Sequence, residues 1–136
     1  DSLGFVEVSL NNQEWKTYLE TRRTQKHQVS RGGWCADYNE ASTFLNTFVS
    51  TDSNNYGKYS SPEFDRLMNG TLGGDVTAEQ RAQLYRQAEA VLDKDSATIF
   101  VYHYVSPRLV KPYVLGYSSN DPQNTWQVKD WKIAKH

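Results

Sequence analysis

The helical part of the fold is decided by residues 77–92, which read TAEQRAQLYRQAEAVL. Thr77 and Gln80 have the spacing of a capping box, in which each side chain accepts a hydrogen bond from the other residue's backbone N–H. Four apolar residues then recur at helical spacing: Leu84, Ala88, Val91 and Leu92. The stretch predicts an amphipathic helix that starts after Thr77 and buries one face.

Two of the helices predicted before this one lie between residues 40 and 70. Ser61 offers an N-cap hydroxyl and Pro62 suits the first helical position, so a helix should start there. A shorter helix is predicted over residues 40–49, and the polar, Asn-rich residues 51–60 between the two predict a loop. The helix that starts at Pro62 would bury Phe64, Leu67 and Met68. The shorter helix would bury Phe44, Leu45 and Phe48.

Three stretches predict strands. Apolar and polar residues alternate over residues 5–10, residues 27–33 are extended in character, and the run TIFVYHYV at residues 98–105 is typical of a buried strand. A helix capped by Asn11 or Asn12 would join the first two as a parallel strand–helix–strand unit. Its apolar stripe would hold Trp15, Tyr18, Leu19 and Arg22. The predicted fold class is α/β.

The two ends of the chain differ in character from the middle. Residues 1–4 lead directly into the first predicted strand, and residues 108–136 mix proline, glycine and scattered aromatic residues without a clear period. A tail of this composition suits packing on another structure better than an independent core. We therefore expect the chain to be a piece of a larger protein.

Charge and composition exclude several functions. The 15 Lys and Arg nearly balance the 16 Asp and Glu, which leaves a net charge of −1 and no basic surface for nucleic acid. No apolar stretch approaches the roughly 20 residues of a membrane helix. No phosphate-binding loop or zinc-binding spacing is present, so we expect no cofactor and no metal. Cys35 is the single cysteine and cannot form a disulfide within this chain.

Residues 31–40 hold the densest group of chemically useful side chains and read RGGWCADYNE. They follow a predicted parallel strand at its carboxyl end, where open α/β sheets bind ligands. The glycine pair lets another backbone approach, Trp34 offers a flat apolar wall, and Asp37 can meet a cation. Arg31 and Arg22 are available for carboxylates. The set suits a peptide, which brings an ammonium, a carboxylate and a backbone that can pair as a strand.

Structural roles compete with each of these assignments. An aspartate just before a helix more often caps the helix than binds a ligand. Surface arginines such as Arg22 and Arg31 are usually solvated, and Trp34 has the composition of an ordinary core residue. The residue pattern by itself leaves these alternatives open.

A cysteine hydrolase is the alternative function. Cys35 lies between a predicted strand and a predicted helix, where the pKa of a thiol can fall, and His27, His103 and His136 are candidate bases. No glycine elbow or family-type cysteine motif surrounds it. The sequence therefore favours a protein that is not an enzyme.

Several blocks of the sequence resemble one known family. The blocks are NQEWKTYLETR at residues 12–22, GWCADYNE at 33–40, STFLNT at 42–47, LDKDSA at 92–97 and RLVKP at 108–112. In this order and spacing they resemble the C-terminal quarter of the periplasmic oligopeptide-binding proteins of Gram-negative bacteria. These are the solute receptors of peptide-importing ABC transporters.

The resemblance implies part of a type II periplasmic-binding-protein lobe, in a periplasmic receptor that closes over short peptides and delivers them to an ABC permease of the inner membrane. Residues 1–97 would be the C-terminal section of the second peptide-binding lobe. Residues 98–107 would cross between the lobes, and residues 108–136 would form a tail packed on the first lobe. The remaining N-terminal lobes would belong to the rest of the protein.

The resemblance also implies a set of peptide-binding residues: Asp37, Trp34, Cys35, Gly33, Arg31 and Arg22. The aspartate would hold the peptide's α-ammonium, and the main chain at the glycine and the cysteine would offer hydrogen bonds. The tryptophan would line a side-chain pocket, and the two arginines would meet carboxylates of peptides of different length. Cys35 would pair with a cysteine earlier in the full protein.

Overall fold

The structure, a computed structural model, describes residues 4–118, 120 and 128–135. Its elements in chain order are α1 (Trp15–Arg23), α2 (Ser42–Leu45), a 3-10 turn (Asn46–Phe48), α3 (Pro62–Gly70), α4 (Ala78–Lys94), β1 (Val114–Leu115), a second 3-10 turn (Val128–Asp130) and β2 (Lys132–Ile133). Helices therefore dominate the regular structure of these residues. None of the described helices combines the length and the apolar character that crossing a bilayer requires.

The core forms between α3 and α4, the two helices with the strongest start signals. The Ser61 hydroxyl accepts a hydrogen bond from the backbone N–H of Phe64 at 3.3 Å. The Thr77–Gln80 capping box is formed, with N···O distances of 2.9 Å and 3.2 Å. The buried apolar side chains are Leu45, Phe64, Leu67, Met68, Tyr85, Ala88, Val91 and Leu92. Both helix predictions are confirmed, together with most of their inner faces.

The helix predicted over residues 40–49 is divided into α2 and the 3-10 turn that follows it. Leu45 is buried in the core and Phe48 packs at the edge of the core, whereas Phe44 is exposed. The three side chains therefore do not share one buried face. Because α2 packs against α4, it holds the residues just before it close to that helix.

The polar loop after α2 is confirmed, and it is organised around one buried amide. The Asn55 side chain donates hydrogen bonds to the carbonyl oxygens of Val49 at 3.2 Å and Tyr59 at 2.7 Å. Its carbonyl oxygen accepts a hydrogen bond from the backbone N–H of Tyr59 at 3.0 Å. A buried amide that satisfies three backbone groups fixes the path of a loop that has no regular structure.

The start of α1 was predicted wrongly. The N-cap is Glu14, not Asn11 or Asn12, and its carboxylate accepts hydrogen bonds from the backbone N–H groups of Lys16 at 2.9 Å and Thr17 at 3.2 Å. These two bonds satisfy N–H groups of the first helical turn, which have no partner within the helix. No α1 residue is buried, so α1 is held by contacts at its surface.

None of the three predicted strands forms in the described part of the chain. Residues 5–10, 27–33 and 98–105 pair with no other strand there, and Leu10 and Val101 are 93% and 81% exposed. An alternating pattern predicts a strand, but a strand forms only where a neighbouring strand offers its backbone for pairing. The predicted parallel strand–helix–strand unit is therefore wrong for this structure.

The tail contributes the antiparallel pair β1–β2, which the sequence reading did not predict. Val114 lies opposite Ile133 in this ladder. Gly116 follows β1 with a φ of 82°, and a Cβ atom there would clash with the backbone carbonyl oxygen of Asp130. Both the left-handed backbone and the close contact require glycine at this position.

From the sequence we expect this chain, when it is alone, to expose Ile99, Val101 and Tyr104 together with Trp126 and Trp131 of the tail. Apolar surface is exposed along residues 98–109. The large exposed side chains are Ile99, Phe100, Val101, Tyr102, Tyr104, Val105 and Leu109. Trp131, expected to be exposed with them, is half-buried and meets the ring of Tyr117 edge-on at 5.9 Å. Trp126, the other tail residue of that expectation, lies outside the described residues.

We expect Leu92→Ala to lower the free energy of unfolding by about 2–5 kcal/mol, because it opens a cavity in the α3–α4 core. Leu72→Ala is the matched control, since Leu72 is 79% exposed and Leu92 is 0% exposed. The control should change the free energy of unfolding by less than about 0.5 kcal/mol. Urea-induced unfolding measures both, and equal effects would contradict the placement of the core.

Candidate functional site

Residues 31–40, here called the site segment, lie between α1 and α2 and lead directly into α2. Their first carbonyl is held by α1, because the Tyr18 hydroxyl donates a hydrogen bond to the backbone oxygen of Arg31. Their last residue, Glu40, is held by α4. The site segment is thus fixed at both ends by helices, although it has no regular structure of its own.

The Arg31 side chain reaches residues 98–105. Its Nη2 donates hydrogen bonds to the hydroxyl oxygens of Tyr102 at 3.1 Å and Tyr104 at 2.6 Å. The hydrogen bond with Tyr102, followed by the electrostatic influence of Tyr104 and Tyr102, raises the pKa of the Arg31 guanidinium. Arginine is charged at neutral pH in any case. Sequence reasoning missed these tyrosines; their spacing of two places both on one side of an extended chain and could have indicated them.

Arg22 is held between aromatic rings at the end of α1. Its guanidinium carbon lies 4.6 Å from the ring centroid of Tyr56 and 5.8 Å from that of Tyr18. A guanidinium within about 6 Å of a ring face is attracted by the ring's quadrupole. Its Nε atom is buried and has no hydrogen-bond partner in the described part of the chain.

The two glycines of the site segment are approached by side chains of this chain. A Cβ atom on Gly32 would lie 3.2 Å from Nη2 of Arg22. A Cβ atom on Gly33 would lie 3.2 Å from the ring of Tyr104. Glycine allows close approach here, but the groups that approach are the side chains of Arg22 and Tyr104 and not another backbone.

Trp34 and Cys35 lie on the surface. Trp34 is 38% exposed, which does not fit an ordinary core residue, and Cys35 is an exposed free thiol. Among the described residues no histidine is hydrogen-bonded to this thiol; Nδ1 of His27 lies 3.5 Å from the carbonyl oxygen of Thr21. His136 lies outside the described residues. Within the same residues no cluster of three or more His, Cys, Asp or Glu could hold a metal ion.

Asp37 is exposed and does not cap a helix. The N-cap of α2 is Ala41, and no side chain makes a capping hydrogen bond there. Instead, the backbone N–H of Asp37 donates to Oγ1 of Thr43 at 3.0 Å, and that oxygen lies 3.5 Å from Oδ2 of Asp37. The capping role that competed with ligand binding is therefore absent.

Glu40 joins the site segment to the core. Its Oε1 accepts hydrogen bonds from the Tyr85 hydroxyl at 2.8 Å and from Nη1 of Arg81 at 3.2 Å. The hydrogen bond from Tyr85, then the one from Arg81, lowers the pKa of the Glu40 carboxyl. Burial, then the same bond to Glu40, raises the pKa of Tyr85. Sequence reasoning did not single out this anchor, since its partners lie far along the chain.

The chain is similar to periplasmic peptide-binding proteins over almost its whole length. It is 54% identical over 132 residues to the periplasmic oligopeptide-binding protein of Salmonella typhimurium, covering 96% of this chain and 24% of that protein. Its structure is similar to the crystal structure of the Haemophilus influenzae oligopeptide-binding protein in complex with the peptide RPPGFSPFR. That match has a TM-score of 0.82 and 47% identity, and it covers 98% of this chain and 26% of the other.

A third similarity is to the murein tripeptide-binding protein of Escherichia coli, with a TM-score of 0.81 and 36% identity over 96% of this chain and 25% of that one. No protein-family model matches the chain. The chain spans about a quarter of the length of the relatives it matches.

These similarities confirm the resemblance inferred from the sequence, the periplasmic location carried by the relatives' names, and the fold as part of a peptide-binding lobe. The matched relatives are binding proteins, and none supports a cysteine hydrolase.

We expect Glu40→Gln to lower the free energy of unfolding by about 1 kcal/mol at about pH 7 and by little at about pH 3. The folded-state pKa of Glu40 is below its ordinary value of 4.5, so its stabilisation is complete above that value. It is lost as the pH falls through the lowered pKa.

Urea titrations at both pH values measure this difference. Tyr85→Phe should reproduce the loss at neutral pH, because Tyr85 donates the dominant hydrogen bond. Glu89→Gln on the exposed side of α4 is the matched control. A loss for Glu40→Gln that is the same at both pH values would contradict the role given to its charge.

Proposed function

Because this chain belongs to the family of periplasmic oligopeptide-binding proteins, we propose that it supplies part of the wall of a peptide-binding cleft in the receptor of an ABC importer. The observation that carries this proposal is the 47% identity and TM-score of 0.82 to a protein whose structure holds a peptide. Short peptides are the ligands, and an ABC permease of the inner membrane is the partner. The protein is a binding protein and not an enzyme.

In this function Asp37 binds the α-ammonium of the peptide. Its carboxylate is exposed and does not cap α2, so it can meet a ligand. A carboxylate and an ammonium form a charge-assisted hydrogen bond, which is stronger than a neutral one and strengthens further when a closing cleft excludes water.

The neighbouring residues serve the peptide backbone and side chains. Gly33 and Cys35 offer main-chain groups to the ligand, in the manner of an added strand. The half-exposed ring of Trp34 lines a side-chain pocket. Main-chain contacts do not depend on ligand side chains, which suits a receptor that accepts many sequences.

Arg31 and Arg22 meet the carboxylates of peptides of different length. Both guanidinium groups are held near the start of the site segment, Arg31 by tyrosine hydroxyls and Arg22 by tyrosine rings. Guanidinium binds carboxylate through parallel hydrogen bonds, which suits this role.

The division of the chain follows from the same proposal. Residues 1–97 belong to the second peptide-binding lobe, residues 98–107 cross between the lobes, and residues 108–136 pack on the first lobe. The exposed apolar side chains at 98–109 support this arrangement, since surfaces of this kind are usually covered by another structure. The remaining N-terminal lobes complete the cleft, and ligand binding favours the closed form.

We expect Asp37→Asn, in a full-length protein that carries this chain, to weaken the binding of tri-L-alanine by about 2–5 kcal/mol, because the peptide's ammonium loses its charged partner. Calorimetry with tri-L-alanine and with its N-acetylated form measures this effect. Asp75→Asn, at another exposed aspartate, is the control and should leave both affinities unchanged. Equal affinities of the wild-type protein for the two peptides would refute the proposed role of Asp37.

We expect Cys35 to be oxidised in the full-length protein, paired with a cysteine outside this chain. Iodoacetamide should then label Cys35 only after reduction. Reduction should also raise the intact mass by two hydrogen atoms, because it opens one disulfide. In Cys35→Ser the partner cysteine should be labelled without reduction. Rapid labelling of native Cys35 at neutral pH would contradict the disulfide and favour a reactive thiol.

A further inference from the structure

Thr43 contacts Asp37 at two points. Thr43 lies in α2, it is 4% exposed, and its side chain points back along the chain to Asp37. Its Oγ1 accepts the backbone N–H of Asp37 at 3.0 Å and lies 3.5 Å from the carboxylate atom Oδ2. The threonine thus contacts both the main chain and the side chain of the residue that would bind a peptide's ammonium.

The chemistry of a hydroxyl group sets the direction of these two contacts. A hydroxyl has two lone pairs and one hydrogen. One lone pair is taken by the Asp37 N–H, which leaves the hydrogen free to point at Oδ2. Because Thr43 is buried, water competes little for that hydrogen. The hydroxyl therefore favours one orientation of the Asp37 carboxylate.

Thr43 itself is firmly held. Leu45, in the same short helix, is buried in the core, and Glu40 just before the helix is bound by Tyr85 and Arg81 of α4. An exposed carboxylate on a segment without regular structure is oriented more narrowly when a fixed neighbour contacts it. A group that must bind a cation with defined geometry needs support from residues that are themselves fixed.

We propose that Thr43 is a positioning residue, which orients the Asp37 carboxylate and thereby sets the preference for peptides with a free N-terminus. This inference rests on the proposed function of Asp37 and adds a residue that does not itself touch the peptide. The buried methyl group of Thr43 has a separate, structural role in packing, so the test must distinguish the hydroxyl group from the methyl group.

The test uses the full-length protein with tri-L-alanine and N-acetyl-tri-L-alanine as probes. Thr43→Val keeps the branched shape and removes the hydroxyl, and it should weaken tri-L-alanine binding about tenfold. Thr43→Ser keeps the hydroxyl and should stay within about threefold of the wild type. Thr47→Val is the matched control, because the Thr47 hydroxyl donates to the carbonyl oxygen of Phe44 at 2.6 Å, away from Asp37.

A double-mutant cycle decides whether Thr43 acts through Asp37. In an Asp37→Asn background, Thr43→Val should cause little further loss of tri-L-alanine affinity, and in the wild-type background it should barely change the affinity for the acetylated peptide. Equal losses in both backgrounds, or no loss in either, would overturn the inference. If Thr43→Val does not fold, Thr43→Ala replaces it in the same cycle.

Failure of the proposed function gives a different result. If the wild-type protein binds the two peptides equally, Asp37 does not bind the ammonium, and the inference about Thr43 falls with it. If the wild-type protein prefers the free N-terminus but Thr43→Val keeps the full preference, only the inference about Thr43 is wrong.

Discussion

The attachment of the site segment to the core depends on one carboxylate, that of Glu40. Its partners lie on α4, and one of them, Tyr85, has its ring buried in the core between α3 and α4. The donor hydroxyl is therefore fixed by the same packing that makes α3 and α4 stable. Because α2 begins directly after this anchor, the anchor also fixes the direction in which Thr43 reaches back to Asp37. The exposed segment thus takes its geometry from the core through a few polar contacts.

The parts of the fold that could be predicted from sequence are those whose causes lie within a few residues. The starts of α3 and α4 depend on Ser61, Thr77 and Gln80, each of which bonds a backbone group within three positions. Their inner faces follow from the helical period alone. The loop held by Asn55 is also local, but its polar composition predicted a loop and gave no sign that one amide was buried.

The parts that could not be predicted depend on distant residues. The strands predicted at 27–33 and 98–105 do contact each other, but through Arg31, Tyr102 and Tyr104 and not through a backbone ladder. The alternating pattern carries no information about which backbone a stretch pairs with. The residue types of the candidate site were recognisable because they lie together in the sequence. The residues that hold them in place were not recognisable, because they lie far along the chain.

Four arginines of the chain differ in the kind of group that holds the guanidinium. In the described part of the chain, Arg23 and Arg81 form ion pairs with Glu20 and Glu40, so their charges are largely compensated. Arg22 and Arg31 are instead oriented by neutral tyrosine groups. A tyrosine ring or hydroxyl restricts a guanidinium without cancelling its charge, and among the described residues no carboxylate forms an ion pair with either arginine. The net charge of −1 gives no indication of this division. It arises from the fold, which surrounds these two arginines with aromatic residues.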